Sequence, residues 1–576
     1  MNKLKRLFSY MGPYKRDFRL AVLLVAIETC FELIIPTLMA DLIDLGVAKG
    51  DTKYMFVKGA QMALCALLAL ITGLTYARFA ARAAYGWGAQ IRKAEYERVQ
   101  EYSFSNIDRF ETSSLVTRMT SDVTVMQNAI NGGLRPITRA PIMFLLGVIF
   151  SFTMNAYLAI IFMVMAPLLG MILFLIVRKV APMYAILQKT VDSLNGVVEE
   201  NVRAIRTVKA FIREEYEEEK FESVNSSLRK TGTRTNSTAV MNLPFFQAGM
   251  YICIILIMLI GGRMILSGRM EIGTLTGFLS YVMQVMNSMM MLSNVFLLLT
   301  RSLASATRIS EVLDEKPSLK EKENPVEKVD DATIEFRHVS FKYSSSAKEE
   351  TLKDINLKIS EGETIGILGG TGSGKSTLVQ LMERLYDTNE GEVLLGGINV
   401  KEYSLKTLRD AIGIVLQKNL LFSGSIRENL LWGDKDASDE EIWQSCEKAG
   451  AAEFLRRFPN GLDTDLGQGG VNVSGGQKQR LCIARTLLKK PRILIFDDST
   501  SAVDTATEKE IRSALASLED VTKIYIAQRI STVMSADRIV IMDDGRIVDT
   551  GSHEELMERC RIYQEIYDSQ LKGGNL

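Results

Sequence analysis

Gly369-Gly-Thr-Gly-Ser-Gly-Lys375-Ser376-Thr377 follows a strand-like run, Thr364-Ile-Gly-Ile-Leu368, and leads into a helix-like one. A GxxxxGKS spacing between strand and helix predicts a phosphate-binding loop. Gly369, Gly370, Thr371, Gly372, Ser373 and Gly374 let successive backbone N–H groups curl around a β-phosphate. Lys375 reaches the β/γ oxygens, and the Ser376 hydroxyl suits Mg²⁺. A nucleoside triphosphate is the expected ligand.

Downstream, Val473-Ser474-Gly475-Gly476-Gln477-Lys478-Gln479-Arg480 precedes Arg492-Ile-Leu-Ile-Phe496-Asp497-Asp498-Ser-Thr-Ser-Ala-Val-Asp504. The apolar run ending at Asp497 reads as a buried parallel strand whose last carboxylate meets Mg²⁺ through water. Ser474, Gly475 and Gly476 read as a helix N-terminus, whose free N–H groups suit the γ-phosphate of a second nucleotide bound by another subunit. These motifs, in this order, resemble those of the ATP-binding cassette (ABC) family. The resemblance makes ATP the nucleotide and Gln477 the end of the signature motif. Tyr343, in Val339-Ser-Phe-Lys-Tyr343, then matches the aromatic on which adenine stacks. Gln417, in Ile414-Val-Leu-Gln417, matches the glutamine that joins Mg²⁺ and the attacking water to the membrane domain. Asp504 matches the loop that reaches across the dimer.

Outward from these motifs, 576 residues with 47% hydrophobic content and no net charge are too many for one soluble domain. Apolar residues crowd the first half. Six stretches there have spanning length, near 18–40, 57–79, 138–155, 157–177, 243–265 and 274–298. Glu28 and Glu32 make the first too polar for a cleavable signal peptide. The expected division is a transmembrane domain over 1–313, a linker over 314–331 containing Pro317 and Pro325, and a nucleotide-binding domain over 332–576. Lys3, Lys5, Arg6, Lys15, Arg16 and Arg19 flank the first span, which places the N-terminus in the cytoplasm of a plasma-membrane protein; six spans return the chain to that side. Residues 2–15 read as an amphipathic helix on the inner surface, with Leu4, Leu7, Phe8 and Met11 towards lipid. The polar segments 80–136 and 178–242 keep helical spacing, so the helices are expected to continue beyond the bilayer. Asp108-Arg109-Phe110 with Arg118-Met-Thr-Ser-Asp122, and Ile205-Arg-Thr-Val-Lys209-Ala-Phe211, are similar to cytoplasmic loops of ABC exporters with domain-swapped helices. The resemblance thus covers the whole chain and implies a type IV exporter, an α-helical membrane domain fused to an α/β P-loop ATPase, of bacterial kind.

Six scattered cysteines without CxxC spacing imply neither disulfides nor a metal cluster, and only two histidines are present. No nucleic acid partner is expected. The shortage of histidine exposes two departures from the family, which usually places Glu after the motif aspartate and His in a switch loop. Here those positions hold Asp498 and, in Ile526-Ala-Gln528-Arg-Ile-Ser-Thr, Gln528. An aspartate is one methylene short of polarising the same water, and a misplacement of about 1 Å can cost roughly a hundredfold in rate. Gln528 carries no imidazolium charge. With the P-loop, Asp497 and signature intact, this is the pattern of one half of a heterodimeric exporter, its own site degenerate and its signature serving a competent site on the partner. A homodimer with two slow sites, or a membrane-anchored ATP sensor that pumps nothing, are the alternatives. Gln468 replaces a frequent Glu in the loop before the signature.

The substrate is less legible. Met283, Met286, Met289, Met290 and Met291, with Phe245, Phe246 and Tyr251, suit a deformable apolar cavity or simple packing. Glu28 and Glu32, one turn apart, suit cationic substrates or pairing with basic groups such as Arg139. Drug, lipid and peptide all stay open, within a hydrophobic or amphipathic class.

Overall fold

The computed structural model describes residues 2–344, 347, 349–498, 505–518 and 520–572. The chain divides into two compact units, Met1–Gln100 with Glu111–Glu315, and Glu101–Phe110 with Lys316–Leu576.

The first unit is helical: α1 (Asn2–Ser9), α2 (Lys15–Asp41), α3 (Thr52–Gln100), α4 (Phe104–Arg109, which belongs with the second unit), α5 (Thr112–Thr117), α6 (Val123–Met154), α7 (Ala156–Arg203), α8 (Ile205–Ala210), α9 (Glu214–Val240), α10 (Asn242–Leu266) and α11 (Ile272–Asp314). Among the described residues, four continuous helical runs are long and apolar enough to cross a membrane: Thr52–Gln100, Thr112–Met154, Ala156–Arg203 and Glu214–Leu266. They contain the second, fourth and fifth predicted stretches and all but the last residue of the third; the first and sixth lie in α2 and α11. The helices run on past the apolar segments without a break at 80 or 178, because neither region holds a glycine–proline breaker.

Several buried polar groups in this unit are paired, as a low-dielectric interior favours, although both carboxylate oxygens of the buried Glu95 have no hydrogen-bond partner. Glu28 and Glu32 on α2 meet Arg135 and Arg139 on α6, the second pair at 2.5 Å. Asp44 accepts from the Thr274 backbone N–H at 2.8 Å and from the Gly273 N–H, capping the start of α11. Helix α1 differs from its sequence-based expectation. Leu7 and Met11 are buried with Trp87, Ile91, Ala306 and Ile309, and the Trp87 indole donates to the Leu7 carbonyl at 2.8 Å. Protein, not lipid, covers its apolar face; of Leu4, Leu7, Phe8 and Met11, Phe8 alone is exposed. Of the residues considered for an apolar cavity, Met286 and Phe246 are core, while Met283, Phe245 and Tyr251 are exposed.

The second unit holds two sheets. β1 (Ile334–Phe341), β2 (Leu352–Ile359), β4 (Glu390–Leu395) and β5 (Ile398–Asn399) form an antiparallel sheet ordered β2-β1-β4-β5. The other is ordered β10-β9-β3-β8-β7-β6, from β3 (Thr364–Gly369), β6 (Ile412–Val415), β7 (Ile493–Asp497), β8 (Thr522–Ala527), β9 (Arg538–Asp543) and β10 (Arg546–Gly551). All its pairings are parallel except β9–β10. Continuous apolar runs such as Ile493-Leu-Ile-Phe496 suit strands covered on both faces.

Candidate functional site

In an open parallel sheet, ligands gather beyond the carboxyl ends of the strands. Four adjacent strands deliver the predicted residues there. β3 ends in the phosphate loop and α12 (Lys375–Met382), β8 ends just before Gln528, β7 ends at Asp497, and β6 ends two residues before Gln417. Register aligns the ends: Leu368 pairs with Ala527, Asp497 with Ile526, and Val415 with Phe496. A cavity of about 260 Å³ results, lined by Thr351, Thr371, Gly372, Gly374, Lys375, Ser376, Thr377, Gln417, Asp497, Asp498, Ile526 and Gln528.

Only glycine serves at two loop positions. Gly374 has φ +95°, and a Cβ there would lie 2.7 Å from Leu352. A Cβ on Gly369 would lie 2.3 Å from the Met542 carbonyl oxygen. The loop curls around the Lys375 ammonium, which donates to the Gly369 and Gly370 carbonyls at 2.9 and 2.7 Å. Burial pulls the Lys375 pKa down, against the raising effect of Asp497 and Asp498. The Ser376 hydroxyl donates to Asp497 Oδ1 at 3.1 Å, so a hydroxyl and a carboxylate oxygen converge as a hard divalent cation requires. Burial pushes the Asp497 carboxyl up, countered by the Ser376 hydrogen bond; burial likewise raises Asp498.

Asp498 takes a left-handed backbone, φ +46°, with its N–H donated to the Ile526 carbonyl at 2.9 Å. Such a conformation in a non-glycine residue is costly and concentrates at functional sites. Its carboxylate accepts from Gln417 Nε2 at 3.5 Å. Tyr343 stands over α12, its hydroxyl 2.9 Å from Thr377 Oγ1 and donating to Gln380 at 2.7 Å. Tyr343 is 45% exposed.

Ser474 N-caps the helix Gly475–Leu488, and the Gln477 side chain returns to the Ser474 N–H at 2.9 Å. Ser474, Gly475, Gly476 and Gln477 do not line the phosphate cavity of their own chain. Asp504 lies outside the described residues. Sequence reading missed Thr351 and Ile526 in the cavity wall and Tyr386, which packs edge-on against Tyr343 at 5.2 Å; the tyrosine's place just past α12 was the available signal.

A P-loop ATPase unit joined to a helical unit with membrane-length helices defines the class as a membrane-bound, nucleotide-driven machine. Residues 18–289 match the ABC transporter transmembrane region and 352–501 match the ABC transporter ATPase. The uncharacterized ABC transporter ATP-binding protein YfiB of Bacillus subtilis is 36% identical over 99% of both chains. The putative multidrug export ATP-binding/permease protein YgaD of Bacillus subtilis is 32% identical, over 99% of this chain and 100% of its own. The ATP-dependent lipid A-core flippase of Desulfotalea psychrophila is 32% identical, over 98% of this chain and 99% of its own. The solved structure of a bacterial Atm1-family ABC exporter with ATP bound shares the fold, with TM-score 0.81 and 24% identity over 97% of this chain and 98% of that one. The chain belongs to the ABC transporter family, as an exporter half-transporter of type IV fold whose ATPase unit binds ATP.

Proposed function

We propose that this chain exports a hydrophobic or amphipathic substrate, a drug, lipid or peptide, across the plasma membrane as one half of a heterodimer. Its own phosphate site holds ATP and hydrolyses it poorly. The observation that carries the asymmetry is the pair Asp498 and Gln528, both lining the cavity where the family's catalytic Glu and switch His stand. In this reading six spans, α2 and α11 included, place the N-terminus and ATPase in the cytoplasm. Ser376, Gln417 and, through water, Asp497 hold Mg²⁺; Tyr343 stacks adenine; Gly369 to Thr377 hold the phosphates. Ser474 to Gln477 close the partner's site, and Asp504 crosses the dimer. The names of YgaD and the lipid A-core flippase support a drug or lipid substrate.

Purification through a tag on this chain tests the assembly. A second, different half-transporter in equal amount, and ATP-dependent uptake of a fluorescent amphiphile by inside-out vesicles, are expected. A single species with full uptake overturns the heterodimer. A complex that binds ATP and moves nothing uphill makes the chain a sensor. A specific contact favours the homodimer as second reading: the hydrogen bond from Gln417 keeps the Asp498 carboxylate within the cavity, where a catalytic base belongs.

A further inference from the structure

Tyr386 is buried, and its surroundings connect two places that the sequence separates widely. Its ring meets Tyr343 edge-on with centroids 5.2 Å apart, Phe341 at 5.6 Å, and Phe104 of α4 at 6.2 Å. Its hydroxyl donates to Asp108 Oδ2 on α4 at 2.6 Å. Burial and the Asp108 carboxylate both push the phenol pKa up, so the hydroxyl keeps its proton and remains the donor. From Thr377 on α12, contacts therefore run without a gap through Tyr343 and Tyr386 to Asp108.

Helix α4 is also held from its other side. Asn106, 4% exposed, accepts from the Ser103 and Ser318 backbone N–H groups at 3.2 and 3.0 Å and donates to the Lys316 carbonyl at 3.0 Å. One buried amide thus ties the turn before α4 to the segment that enters the ATPase. A buried polar network with its members satisfied is rigid, so displacement at one end reaches the other. Helix α4 continues covalently into α3 and α5, which carry the two membrane-length runs Thr52–Gln100 and Thr112–Met154.

We propose that Tyr386 is a positioning residue that transmits base stacking on Tyr343 to α4, so that the adenine, and not the phosphates alone, sets the order of this loop. The proposal rests on Tyr343 being the adenine platform. Tyr386 itself touches neither base nor phosphate, and its loss leaves ATP affinity unchanged. What changes is the response of α4 to the bound base.

Hydrogen–deuterium exchange on the full transporter, with Mg²⁺ and either ATP or inorganic tripolyphosphate, separates the two effects. In the wild type, ATP slows exchange in peptides covering both 369–382 and 101–117, whereas tripolyphosphate slows only the first. In Tyr386→Phe, which keeps the ring and removes the hydroxyl, protection of 369–382 by ATP persists, while protection of 101–117 falls at least about fivefold, as loss of a charge-assisted hydrogen bond implies. Asp108→Asn, whose amide oxygen still accepts from Tyr386, retains the response; Asp108→Ala loses it. Equal protection of 101–117 by ATP and tripolyphosphate, or an unchanged ATP response in Tyr386→Phe, overturns the proposal. Absence of ATP protection over 369–382 in the wild type overturns the nucleotide-site reading beneath it, a result distinct from either.

Discussion

Lys375→Ala tests the phosphate site where its chemistry is most concentrated. Lys375 is 7% exposed, and its ammonium already makes two good hydrogen bonds to the Gly369 and Gly370 carbonyls. Binding ATP exchanges those neutral acceptors for β/γ-phosphate oxygens. A hydrogen bond to a charged group contributes about 1.5–3 kcal/mol. Because the exchange gives up the carbonyl contacts, the net loss belongs at the low end, near 1.5 kcal/mol, or about tenfold in Kd. Photolabelling of the assembled transporter with 8-azido-ATP, followed by electrophoretic separation of the chains, reads occupancy of this site apart from the partner's. The half-saturating concentration on this chain should rise about tenfold, with the thermal midpoint near wild type. Lys375→Arg keeps the charge in a larger, planar group that the tightly closed loop does not admit, so it should not restore affinity. Unchanged labelling in a folded Lys375→Ala transporter would refute the assignment of Lys375 to the phosphates.

Ser474→Arg should reduce turnover by the complex at least about a hundredfold by filling the space where, in the proposed dimer, the signature meets the partner's γ-phosphate, and near wild-type ATPase activity would contradict the proposed trans-acting signature. Glu383 is buried, and desolvation pushes its pKa up to about 7, against the lowering effect of Lys489 and Arg409. The native state therefore keeps a proton that the unfolded chain loses near the ordinary value of 4.5, so stability falls as pH rises between them. Glu383→Gln should flatten that slope and raise the thermal midpoint at pH ~8 relative to wild type; a slope that survives the substitution would dismiss Glu383 as its source. Arg135→Gln leaves the Glu28 carboxylate, 3% exposed, without its partner and should cost about 3–5 kcal/mol. The double variant Glu28→Gln/Arg135→Gln should recover most of that loss in thermal unfolding, and equal instability of single and double variants would show that the pair adds nothing specific.

Much of the site was legible because its chemistry is local. The glycines around Lys375, the apolar run before Asp497 and the Ser474–Gln477 spacing each demand one backbone conformation, and each forms as read. The helical extensions followed from periodicity and the absence of breakers. Contacts formed by folding back were not legible. Amphipathic spacing in residues 2–15 shows that Leu7 and Met11 seek cover, yet it does not distinguish lipid from Trp87 and Ile309. Met and aromatic residues at helical spacing gave no way to separate core Met286 and Phe246 from exposed Met283 and Tyr251. For Glu28 and Glu32 the sequence left a cationic substrate and pairing with Arg139 both open; the structure pairs Glu32 with Arg139, as the second reading had it, and adds Arg135 beside Glu28, which the sequence did not single out. The union of Phe104–Arg109 with the ATPase unit depends on the Tyr386–Asp108 and Asn106–Ser318 contacts, across more than two hundred residues of sequence.

The proposed asymmetry of the two ATP sites is tested most directly by the steady-state ATPase rate of the assembled transporter carrying Asp498→Ala in this chain. With hydrolysis concentrated at the partner's competent site, the rate should stay within about twofold of wild type, since the lost carboxylate is not the main base. Restoring the site with Asp498→Glu and Gln528→His should raise hydrolysis at this chain's own site. If Asp498→Ala instead removes activity as completely as loss of the partner's catalytic acid, Asp498 is a working base and the transporter hydrolyses ATP at two equivalent sites.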